Sequence, residues 1–141
     1  MKLDPTVLPL PQTWTTPGLA ILALHSTDSP DLAVAGLRAA HAGASVVVDS
    51  FRPRPRSVLI LDAEGVRLAV RAVLGALSTG GRPNLVALVD EFLAREGILF
   101  VTEPAWRDRG FDDDALIPGA RLVPAGQLAR IAAANYAIAT Y

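Results

Sequence analysis

Short, uninterrupted apolar runs separated by helix-length segments restrict the fold of this chain more than any other feature. Gly18–Leu24, Val58–Leu61 and Ile98–Val101 contain no polar side chain, the pattern of strands buried on both faces. The intervals between them read as helices. Leu32–Ala42 is Ala-rich, with Ser29 as a candidate N-cap and Pro30 at the first helical position. Glu64–Leu77 forms a second helical stretch. A third runs from an Asn84 cap to Glu96, with Leu85, Leu88, Val89, Phe92 and Leu93 on one stripe and Gly97 as its stop. Further on, Asp112–Leu116 reads as a helical turn and Arg121–Val123 as a short strand. Pro124 opens a last helix to Ala134, and Tyr136–Tyr141 closes the sheet. Strands alternating with helices predict an α/β protein, a three-layer α/β/α sandwich with a mostly parallel sheet of about five strands.

The 141 residues make room for one domain, without an internal repeat. Residues 1–17 carry Pro5, Pro9, Pro11 and Pro17, which forbid a regular helix and disfavour a ladder. They are expected to form a Pro-rich extended arm ahead of an α/β domain at 18–141. Leu3, Val7, Leu8, Leu10 and Trp14 make that arm too apolar for a free tail, so it should lie across the domain or a neighbouring subunit. Ser45–Ser50 fits a strand or a helix tail. Arg52-Pro-Arg-Pro-Arg56 is a loop, either solvated or docking an acidic partner.

Composition excludes several function classes. Apolar residues make up 51% of the chain, yet no run reaches the ~18–20 residues that span a bilayer. The surplus points to burial against other copies, hence a homo-oligomer. Net charge is −1 and Lys2 is the only lysine, so nothing favours nucleic acid or an acidic membrane surface. Gly18–Leu24 is too short to span, and a Pro-rich segment with a lone Lys2 precedes it, so it is not expected to be a secretory signal and the cytoplasm is the expected location. The chain has no cysteine, which removes disulfides, thiolate nucleophiles and thiolate-bound metals together. His25 and His41 are the only histidines and lack metal-ligand spacing. Asp112–Asp114 reads as acidic residues opening a helix. No metal or cofactor is expected.

In parallel sheets, ligands bind beyond the carboxyl ends of the strands. Three expected strands end there on polar groups: His25 with Ser26, Asp62 with Glu64, and Thr102 with Glu103, followed by Trp106 and Arg107. These eight residues are the candidate lining of a small-molecule pocket. Each has a structural alternative. His25 can be a hydrogen-bonded structural residue, Asp62 a helix cap with Glu64 adding dipole charge, and Trp106 an interface anchor. His25, Ser26 and Asp28 hold the letters of a hydrolytic triad, but neighbours on one turn rarely reach relay geometry. Ser78-Thr-Gly-Gly-Arg82 follows a helix rather than a strand, which argues against a phosphate cradle.

The order of these pieces resembles the DsrE/DsrF-like family of small sulfur-relay domains. The first strand with Asp28-Ser-Pro-Asp31 is similar to its opening βα unit. Asp62-Ala-Glu-Gly-Val-Arg-Leu-Ala69 is similar to its strand–acidic–Gly-Val–Leu-Ala step. Gly97-Ile-Leu-Phe-Val-Thr-Glu-Pro-Ala-Trp-Arg-Asp-Arg-Gly110, followed by Asp114-Ala-Leu-Ile-Pro-Gly119, resembles the family's glycine, strand, Cys-Pro-x-Cys-like segment, Arg-Gly and acidic Leu-Ile-x-Gly. The resemblance covers roughly 18–141 and implies a trimer or hexamer. Where such members carry cysteine, this chain has Glu103 and Trp106; a one-residue slip would place Thr102 there instead. Persulfide transfer needs a thiolate, so the resemblance implies an accessory or small-ligand-binding protein. Two alternatives are a structural subunit beside a cysteine-bearing relative in a sulfur-relay complex, and an enzyme using Glu103 or His25 as general acid or base.

Overall fold

The computed structural model describes residues 19–44, 57–133 and 137–141. The expected N-terminal arm, the Ser45–Ser50 stretch and the Arg-Pro loop lie outside the described residues. Each apolar run becomes a strand: β1 Leu19–Ala23, β2 Ser57–Leu61 and β3 Ile98–Thr102, joined by β4 Ala120–Val123 and β5 Ala137–Thr140. They form one five-stranded sheet in the order β4-β3-β2-β1-β5, every pairing parallel.

The helices are α1 Pro30–Ala44, α2 Arg71–Leu77, α3 Leu85–Ala94, α4 Glu103–Asp108 and α5 Gln127–Ala133. From β1 to β4 the chain steps one place at a time in the same direction. Right-handed crossovers then keep α1 to α4 on one face. The return from β4 to β5 runs the other way and delivers α5 to the opposite face. Two cores record this. Ile21, Ala23, Leu59, Leu61, Leu99 and Val101 pack under α1 to α4 with Leu37, Leu74, Phe92 and Trp106. The alternate residues Ala20, Val58, Ile60, Ile98 and Phe100 pack with Val123 and Leu128 on the α5 side. The three-layer α/β/α expectation holds.

Three elements differ from the sequence pattern. The helix expected over 64–77 is interrupted. A 3-10 segment covers Ala63–Ala69, Val70 is extended (φ −108°, ψ 120°), and α2 starts afresh. Tertiary pairing makes the break: Val70 forms an antiparallel bridge with Leu116, and Ile117 N donates to Ala69 O at 2.9 Å. Directly after β3, α4 forms a helix that the pattern does not announce, with Pro104 in its first turn where a missing N–H is harmless. The last helix begins at Gln127, because Pro124–Gly126 form a turn in which Gln127 N donates to Pro124 O at 3.0 Å.

Candidate functional site

At the carboxyl ends of β2 and β3, Asp62 and Thr102 meet. The Thr102 hydroxyl, itself buried, donates to Asp62 Oδ1 at 2.6 Å. The same oxygen accepts from Ala63 N at 2.8 Å, so Asp62 caps the 3-10 segment. Ala63 is held at φ +50°, a left-handed conformation that costs a non-glycine residue roughly 1–2 kcal/mol. The cap, the Asp62 N to Ala23 O bond at 3.1 Å and the Gly65 N to Asp62 O bond at 2.8 Å hold it there.

The turn after β1 is built around Asp28. Its Oδ2 lies 2.8 Å from His25 Nδ1 and its Oδ1 accepts from Ser26 N at 2.7 Å. The imidazole beside it, then the Ser26 N–H, hold the Asp28 carboxyl below the usual range. With Nδ1 turned to the carboxylate, His25 Nε2 has no partner among the described residues. His25 and Asp28 thus form a carboxylate–imidazole pair within one turn. The Ser26 hydroxyl is not its third member: it is fully buried and unbonded.

Glu64 pins the 3-10 segment to α4. Arg67 Nε donates to its Oε2 at 2.7 Å, and Arg109 Nη2 to its Oε1 at 3.0 Å. These guanidiniums, Arg67 first, hold its carboxyl below 4.5. Arg107 is engaged by Asp113 at 2.6 Å. Glu103 is exposed at the start of α4. Trp106 is completely buried against Phe111, ring centroids 4.7 Å apart, and its indole N–H has no acceptor. The structure thus joins Asp62 to Thr102 and sets His25 and Ser26 on one turn. It ties Glu64 and Arg107 to partners that the sequence reading did not select: Arg67, Arg109 and Asp113. Among the described residues no group of three or more His, Asp or Glu side chains is arranged to hold a metal ion.

The depressed carboxyls of Glu64 and Asp28 predict acid sensitivity. A carboxylate with a lowered folded-state pKa stabilises above its unfolded value, and that contribution is lost as pH falls through the folded value. For Glu64 the loss begins below about pH 4.5. The stability gap between wild type and Glu64→Gln should be open at pH 6 and close toward pH 3, read from urea midpoints. Parallel curves across that range would show that Glu64 makes no folded-state ion pair.

An all-parallel α/β/α domain with polar groups at its carboxyl edge is the class that this geometry defines. No family model and no curated protein sequence matches the chain. Among solved structures, the fold is similar to the YchN protein from E. coli, with TM-score 0.65 and 17% identity over 88% of this chain and 99% of that one. It is also similar to MTH1491 from Methanobacterium thermoautotrophicum, a protein of unknown function. There the TM-score is 0.60 and the identity 14%, over 89% of this chain and 98% of the other. Likenesses at these identities establish the fold. No helix among the described residues is long and apolar enough to cross a membrane.

Proposed function

We propose that this chain is a non-catalytic, oligomeric accessory or small-ligand-binding protein of the DsrE/DsrF-like type, with its ligand contacts at the carboxyl edge of the sheet. The absence of cysteine from the sequence excludes sulfur transfer through a protein thiolate. One observation carries the binding half of the reading. Three buried side-chain polar atoms lack a hydrogen bond among the described residues, and two of them, Ser26 Oγ and Trp106 Nε1, belong to candidate pocket residues. Such an atom forfeits about 1–3 kcal/mol, which a polar ligand or an ordered water reaching it would recover. Of the two residues in the acid–base alternative, Glu103 has less support, since it is exposed and bonded to neither Asp62 nor His25.

Native mass spectrometry on gently purified protein tests this reading. The expected result is a clean multiple of the 14.8 kDa chain, with a retained small adduct. A mass requiring a second, different polypeptide would overturn it in favour of a cysteine-free subunit in a mixed complex. A bare monomer would overturn both.

A further inference from the structure

Outside the carboxyl-edge residues, a cleft of about 280 Å³ lies between α1 and the loop that leads into α3. None of the eight candidate residues lines it. One wall is a single face of α1, Asp31, Val34, Ala35 and Arg38, at the i, i+3, i+4, i+7 spacing that brings side chains into one row. The other wall is Gly81, Arg82 and Pro83. Two arginines therefore line one small concavity, and neither the Arg38 nor the Arg82 side chain has an ion-pair or hydrogen-bond partner among the described residues. Most other arginines of this face are paired: Arg67 and Arg109 with Glu64, Arg71 with Asp90, Arg107 with Asp113. The loop is shaped by Gly80 and Gly81 at φ +67° and +82°, a left-handed pair that other residues disfavour. A side chain built at Gly81 would meet nothing within 4 Å, so backbone shape rather than crowding calls for glycine there.

We propose that this cleft binds a small organic oxyanion, a phosphate monoester or carboxylate. The anionic group would sit between Arg38 and Arg82, and the apolar body over Val34, Ala35 and Pro83. Like charges facing one concavity repel, and an oxyanion removes that repulsion while giving both planar donor forks their acceptors. The volume falls just under the ~300–1,000 Å³ usual for ligand pockets, which fits a metabolite-sized guest. Two arginines on a chain of net charge −1 are too few for a polyanion track. Asp31 lowers the positive field and favours a guest that carries a hydroxyl or amine as well. This site is independent of the carboxyl-edge reading and stands or falls without it.

The test is titration of the ¹⁵N-labelled full chain with phenyl phosphate, with inorganic phosphate and phenol in parallel. Saturable amide shifts are expected at Ala35, Gly80 and Gly81 with phenyl phosphate, weaker ones with inorganic phosphate and none with phenol. Arg38→Ala and Arg82→Ala should each weaken binding roughly 10- to 100-fold, the loss of a charge-assisted hydrogen bond. Arg71→Ala, which alters a paired arginine outside the cleft, should leave affinity unchanged. Asp31→Asn should tighten binding a few-fold, a gain that a damaged fold cannot imitate. Absence of saturation by roughly 10 mM, or equal affinities in Arg38→Ala, Arg82→Ala and Arg71→Ala, would overturn the proposal.

Discussion

Gly65→Ala is expected to lower stability by about 3 kcal/mol, near the upper end for adding one methyl group to a packed interior. A Cβ at this position would lie 2.0 Å from the Ala23 carbonyl oxygen, 2.7 Å from its carbon and 3.2 Å from Leu24 N. All three are backbone atoms, so no side-chain rotation relieves the contact. Either the 3-10 segment lifts off the end of β1 or the strand end bends. Both movements strain the Asp62 N to Ala23 O bond and the Gly65 N to Asp62 O bond, which seat the Asp62–Thr102 pair. The melting temperature should fall by roughly 6–12 °C. Gly75→Ala provides the contrast. A Cβ there meets nothing within 4 Å inside α2, and alanine in a helix interior is favoured by about 0.5–1 kcal/mol. If Gly65→Ala melted within 2 °C of wild type, the close approach of the 3-10 segment to β1 would be refuted.

That contrast marks what can and cannot be recovered from one sequence. The strands were legible because a strand covered on both faces must be apolar at every position, and β2 and β3 are buried throughout. Helix α3 was legible because its stripe is periodic and its ends are marked by Asn84 and Gly97. The interruption at Val70 was not, since its cause is Leu116, 46 residues away in the chain. Helix α4 spans six residues, too few for a period to emerge. The site followed the same division. Asp62 as a cap needs only Ala63, whereas its bond to Thr102 crosses 40 residues and the Glu64–Arg109 pair crosses 45. The sequence offers His25 as a hydrogen-bonded structural residue, but not that its partner is Asp28, whose carboxylate the turn folds back onto both the ring and the Ser26 amide. The α1 row of Asp31, Val34, Ala35 and Arg38 has a readable spacing, but its polar members acquire meaning only from the Gly81–Pro83 loop opposite.

Trp106→Ala is expected to cost about 3–5 kcal/mol, the range for deleting a large aromatic side chain from a core. Domains have only about 5–15 kcal/mol in total, so this variant should be close to unfolding. A tryptophan following a strand end reads as amphipathic and available for a ligand or an interface. Here it is fully buried, packed on Phe111, which Arg67 in turn covers from 5.7 Å. Loss of ligand binding in Trp106→Ala would therefore report collapse of the packing rather than loss of a contact. Trp106→Phe separates the two. It retains an aromatic ring for Phe111 and removes an indole N–H that has no acceptor, a group whose burial costs about 1–3 kcal/mol. That gain offsets much of the lost volume, and the urea midpoint of Trp106→Phe should stay far closer to wild type than to Trp106→Ala. If the two variants are equally unstable, the indole N–H must be satisfied in solution, by water or a bound molecule. If Trp106→Phe is stable yet loses the adduct seen by native mass spectrometry, that N–H is the donor through which this edge of the sheet holds its ligand.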